Sequence, residues 1–220
     1  MHISYDLYVI TDEKLSHNRS HTEIARAAIL GGADVIQLRD KECRCSDLIA
    51  SAYAIRDITK KENRLFIIND RLDVALITGA DGVHLGQDDI PIRLARKFSP
   101  KGFIIGISVG SVEEAVLAEM EGADYVALSP VFSTTSKEDA GFGHGLDMLM
   151  AIRSSIKIPL LAIGGIGPGN VTEVILAGAD GVAVISAVVS SPDMSEAARE
   201  LKSSITVARQ MKLKRNLERI

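Results

Sequence analysis

TGADGVHL, residues 78 to 85, recurs along the chain as GGADVIQL (31 to 38), EGADYVAL (121 to 128) and AGADGVAV (177 to 184). Each copy reads as a helix-stopping glycine, a turn aspartate and a buried strand. The strands are apolar almost throughout, as expected when helices cover both faces of a parallel sheet. Evenly distributed copies imply a period of two strand-helix units, the pattern of a closed (β/α)8 TIM barrel. An open doubly wound sheet is the structural alternative, and it supplies no reason for the even distribution.

Working outward from the repeats, the remaining strands are Leu7 to Thr11, Leu65 to Asn69, Phe103 to Ser108 and Leu160 to Ile163. With the repeat strands, read as Val35 to Arg39, Gly82 to Leu85, Tyr125 to Pro130 and Gly181 to Ser186, they make eight strand-helix units. Capping boxes are expected at Ser20 with Glu23 and at Ser111 with Glu114, and caps at Ser46, at Asn170 with Glu173 and at Asp193 with Glu196. Pro91 suits the first turn of a helix running to about Lys97. Between the third and fourth strands lies a short helix, Asp73 to Thr78, stopped by Gly79.

At 220 residues and 46% hydrophobic content the chain can bury a large core, and residues 1–220 read as one barrel domain ending in a frayed helical tail over about 212–220. A net charge of -4 offers no basic field for nucleic acid. No stretch resembles a signal peptide or a membrane span, so the expectation is a cytoplasmic protein with no nucleic-acid or membrane partner. Cys43 and Cys45 are too few for a closed zinc site and too close for an easy disulfide.

The active site of such a barrel lies at the C-terminal ends of the strands, and the unusual polar residues of this chain fall there. Gln37, Arg39 and Lys41 follow the second strand, Asn69 and Asp70 the third, Gln87, Asp88 and Asp89 the fourth, and Ser108 ends the fifth. The loop after the sixth strand carries Thr134, Thr135, Ser136 and Lys137; Gly164-Gly165 and Ile185-Ser186 end the last two. Parallel neighbours are about 4.8 Å apart, so Asp70 and Asp89 reach one space, where two carboxylates repel unless a cation such as Mg²⁺ lies between them. With the cations Arg39, Lys41 and Lys137 they suit a diphosphate. The glycine turns and the start of the following helix suit a monophosphate. Taken singly, each residue has a plainer reading: a solvated charge for the cations and Asp88, a turn or cap residue for either aspartate, and a satisfied core histidine for His84.

QLRDK (37 to 41), ND (69 to 70), ADGVHLGQDD (80 to 89), TTSK (134 to 137), AIGGI (162 to 166) and GVAVIS (181 to 186), in that order, resemble the thiamine-phosphate synthase family. The resemblance runs from about Leu7 to Ser190. It implies a transferase of thiamine biosynthesis. The reaction joins 4-amino-2-methyl-5-hydroxymethylpyrimidine diphosphate to 4-methyl-5-(2-hydroxyethyl)thiazole phosphate and releases diphosphate. Carried over residue by residue, Gln37, Arg39, Lys41, Asn69, Ser108 and Lys137 would hold the pyrimidine diphosphate, with Arg39, Lys41 and Lys137 as the catalytic cations. Asp70 and Asp89 would hold Mg²⁺, and Thr134, Ser136, Gly165, Ile185 and Ser186 the thiazole phosphate. The chain departs from the family at Ser136, Ser129 and the segment after Ser108. A related thiazole tautomerase, an isomerase on the same barrel, is one alternative; a non-catalytic barrel binding phosphorylated ligands is another. Intact Gln87, Asp89 and Lys137 favour the synthase.

Overall fold

The expected barrel closes. In a computed structural model that describes residues 4–134, 136 and 143–217, the strands pair in sequence order and parallel, and the last pairs back on the first. They are β1 (Leu7–Ile10), β2 (Val35–Leu38), β3 (Leu65–Asn69), β4 (Gly82–Leu85), β5 (Ile104–Val109), β6 (Tyr125–Leu128), β7 (Leu160–Ile163) and β8 (Gly181–Val184). Between them run α1 (His21–Leu30), α2 (Cys45–Lys61), α3 (Leu72–Thr78), α4 (Ile92–Phe98), α5 (Val112–Glu121), α6 (Gly145–Ser155) and α7 (Val171–Leu176). The short α8 (Ser186–Val189) and the long α9 (Met194–Leu217) follow β8. Strands and inward helix faces share one contiguous apolar core.

Local chemistry explains most boundaries. Ser20 and Glu23 form the full capping box that opens α1, and Gly79 and Gly122 stop α3 and α5 in the left-handed conformation. Asp193 Oδ1 accepts the N–H groups of Ser195 and Glu196 ahead of α9.

Two expected helix starts are corrected, and at two others the start holds but the capping bonds differ. Arg44, not Ser46, precedes α2, because Asp40 Oδ1 collects the N–H groups of Glu42 and Cys43 and brings the chain into the helix early. Pro91 stands just outside α4 as its N-cap. At Ser111 only half of the box forms: its hydroxyl accepts from the Glu114 N–H, while the Glu114 carboxylate reaches back to the Gly110 N–H at 2.7 Å. Asn170 precedes α7 without capping it, because its side chain is engaged in the preceding loop. The eighth strand also ends at Val184, two residues before the expected Ser186, which instead opens α8.

The repeat aspartates are more than turn residues. Asp34, Asp81, Asp124 and Asp180 accept the N–H groups of Leu7, Phe66, Ile105 and Leu160, at 2.7–3.0 Å, so each repeat clamps the start of the preceding odd-numbered strand. Each clamp is neutralised by a cation: Arg64 and Lys202 at Asp34, then Arg56, Arg96 and Arg153 in turn. The period seen in the sequence is therefore a repeated solution to the unpaired N–H groups at the bottom of the barrel. That leaves the opposite rim free for the site.

Candidate active site

Parallel strands end together, so the residues that follow them converge on one face. Asp70 follows β3 with φ 61°, a left-handed conformation uncommon for a residue with a side chain. Its N–H donates to the His84 carbonyl at 2.8 Å, holding the turn against β4. After β4, Asp89 Oδ2 accepts the Gly86 N–H at 2.6 Å. The two carboxyls then face the same cleft, close enough to repel each other. Burial and the neighbouring Asp89 push the Asp70 carboxyl up to about 6, while Lys41 and Arg39 pull against that rise.

These residues line a cleft of about 300 Å³ together with Arg39, Lys41, Asn69, Gln87, Asp88 and Ser108. Arg39 is held 3.6 Å from Asp12, and Gln87 Nε2 donates to the Ser108 carbonyl at 2.7 Å. The loop bearing Arg39 and Lys41 is latched by His21, which is buried between Thr11 Oγ1 at 2.8 Å and Asp40 Oδ2 at 3.4 Å. Burial works to raise the Asp40 carboxyl, but the N–H groups of Glu42 and Cys43 and the His21 ring outweigh it and hold the group below its ordinary value. Nothing in the sequence marks His21 for this task, because its partners come from other elements.

A second, narrower pocket is lined by Thr134, Ser136, Gly165, Ile185 and Ser186, and the two cavities share Ser129. Glycine is required at its wall. A Cβ on Gly164 would lie 2.5 Å from the Pro130 Cβ, one on Gly165 would lie 2.8 Å from the Phe132 Cβ, and both residues have positive φ. Asn170 fastens this turn by donating to the Gly165 carbonyl at 2.8 Å and accepting from the Gly167 N–H at 2.9 Å. Ser136 donates to the Ser186 hydroxyl at 3.0 Å, tying the loop after β6 to the start of α8.

Two expected site residues stand apart. Lys137, like Thr135, lies outside the described residues. Gln37 lines neither cavity: it is 1% exposed beneath the cleft and bonded to Tyr8. His84 is the satisfied, largely buried histidine that its apolar strand suggests, and it also reaches the cleft wall. Among the described residues no three His, Cys, Asp or Glu side chains gather as a metal cage.

The chain matches the thiamine monophosphate synthase family over residues 7–188. It is 59% identical to the thiamine-phosphate synthase of Methanoculleus marisnigri over 94% of this chain and 98% of that protein. It is 57% identical to that of Methanocella arvoryzae, over 93% and 96%. Among solved structures it is similar to a thiamine phosphate pyrophosphorylase from Pyrococcus furiosus, with a TM-score of 0.86 and 43% identity, covering 93% of this chain and 96% of that one. By the reach of these matches, the chain belongs to the thiamine monophosphate synthase family.

Proposed function

We propose that the large cleft holds a pyrimidine diphosphate, that the small pocket holds a thiazole phosphate, and that the reaction joins them across the shared Ser129 wall. The reaction class follows from the family: the chain is a transferase of thiamine biosynthesis that forms thiamine phosphate. The observation that carries the reading is the charge distribution, with Arg39, Lys41 and the Asp70–Asp89 pair on one side and the glycine turn with Ser186 on the other.

A hard divalent cation fits the paired acids. They line one cleft and repel each other, and Mg²⁺ commonly takes one or two protein carboxylates and completes its shell with substrate phosphate and water. Bound there, Mg²⁺ would supply positive charge to the diphosphate oxygens. Arg39, Lys41 and Lys137 hold the diphosphate, with Asn69 and Ser108 beside it and Gln37 supporting from beneath. Thr134, Ser136, Gly165, Ile185 and Ser186 hold the thiazole phosphate. In the reaction the bond between the pyrimidine methylene carbon and the diphosphate oxygen breaks, and its electron pair leaves with the diphosphate. The thiazole nitrogen lone pair then forms the new C–N bond, leaving the positive charge on the thiazolium ring. Positioning and electrostatics carry the chemistry, and no side-chain nucleophile takes part.

Incubation of the purified chain with both substrates and Mg²⁺ tests the reading. Equimolar thiamine phosphate and diphosphate are expected; isomerisation of the thiazole alone, or binding without product, refutes it.

A further inference from the structure

Five polar side chains from five strands form a continuous hydrogen-bonded chain through the barrel interior, and only its last members touch the cleft. Gln37 Nε2 donates to Tyr8 Oη at 2.8 Å. Tyr8 Oη and Tyr125 Oη are 3.0 Å apart, Tyr125 Oη is 2.9 Å from His84 Nδ1, and His84 Nε2 is 3.0 Å from Ser108 Oγ. Gly106 on β5 leaves the space that the Tyr125 ring fills, since a Cβ there would sit 2.0 Å from the Tyr125 Cζ. Tyr8 and Tyr125 are fully enclosed, and burial pushes both phenols well above their ordinary value, so each keeps its proton.

A chain of this kind has two polarities, and choosing one link chooses all the others. Gln37 Oε1 is buried without a partner. Because an orphaned carbonyl is tolerated better than an orphaned N–H, the amide directs its N–H at Tyr8 and leaves its oxygen bare. In that polarity Tyr8 donates to Tyr125, and Tyr125 donates to His84 Nδ1. The same polarity puts the His84 proton on Nε2, whose N–H donates to Ser108 Oγ, and leaves the serine O–H to donate into the cleft.

We propose that Gln37, Tyr8, Tyr125 and His84 are positioning residues that present Ser108 to the pyrimidine diphosphate as a hydrogen-bond donor. This rests on the reading of the cleft given under Proposed function. The opposite polarity would offer serine lone pairs to an anionic substrate, which repel it. The chain thus connects the barrel core to substrate polarity through Ser108.

A double-mutant cycle between Tyr125→Phe and Ser108→Ala tests this, with kcat/KM for the pyrimidine diphosphate as the readout. Tyr125→Phe alone is expected to cost about tenfold, the scale of one net hydrogen bond. In the Ser108→Ala background it should cost less than about twofold, because its effect passes through the missing hydroxyl. An equal loss in both backgrounds overturns the proposal. Tyr8→Phe repeats the cycle one link further away if Tyr125→Phe does not fold. Long-range ¹H–¹⁵N spectra of the wild-type protein supply an activity-free readout, with the His84 ring assigned by its loss in His84→Asn. The Nε2–H tautomer is expected, and Nδ1–H overturns the assigned polarity. A wild-type protein that forms no thiamine phosphate would instead refute the cleft reading, while the tautomer would still be measured.

Discussion

Asp70 concentrates the conflict on which the site depends. A carboxyl half-buried against a second carboxyl ionises reluctantly, and its rise to about 6 records that cost. The sign follows: a carboxyl raised in the folded state contributes stability that is complete below its unfolded value near 3.8 and is lost as pH rises through about 6. Solvent screening at this partly exposed group reduces the effect to about 1 kcal/mol. Without divalent cation, Asp70→Asn should therefore gain about 1 kcal/mol on the wild type between pH 4 and pH 7, read by urea unfolding at both pH values. With Mg²⁺ the order reverses: the wild type should gain stability above pH 6 and the variant should not. Turnover of Asp70→Asn should fall by at least about a hundredfold. A variant less stable than the wild type at pH 7 without cation would show that the acids are not in conflict.

At the level of elements, each strand-helix repeat carries its own clamp, and the clamps differ in environment. The Asp34 side chain is 9% exposed and serves Leu7, Arg64 and Lys202, whereas that of Asp124 is 42% exposed and serves Ile105 and Arg96. Removing a buried partner strands a desolvated charge, while water can replace an exposed one. Asp34→Ala should cost roughly 3 kcal/mol and Asp124→Ala roughly 1 kcal/mol, with unchanged denaturant slopes. Equal costs would mean that the clamps act through the shared strand geometry rather than through burial. Because the clamps lie at the opposite end from the cleft, both variants should keep wild-type kcat when folded.

For the whole molecule, the apolar core that closes the barrel does not depend on the cation site. One apolar core closes the barrel, and the candidate cation site sits on its rim between two loops. Chelating divalent cations should therefore abolish turnover reversibly and leave the far-ultraviolet circular dichroism unchanged, with the unfolding midpoint moving only as ligand linkage requires. Collapse of the secondary structure on chelation would contradict this, since that is the behaviour of domains folded by their metal. Among the described residues no helix is long and apolar enough to cross a membrane.

The sequence by itself determined the closed parallel barrel, because the repeated glycine, aspartate and apolar strand are local signals spaced by chain length. It also located the rim residues, because every parallel strand delivers its following residue to the same face; Asp70 with Asp89, and Gly165 with Ser186, fall together for that reason. Contacts between elements distant in the chain were legible only in the tertiary structure. His21 and Asp40 form a latch, Gln37 lies beneath the cleft rather than in its wall, and Tyr8, Tyr125 and His84 join in the interior. A tyrosine in an apolar strand reads as core packing whether or not its hydroxyl finds a partner. Barrel closure decides which hydroxyls meet, because it sets how the inward-facing layers of eight strands stack.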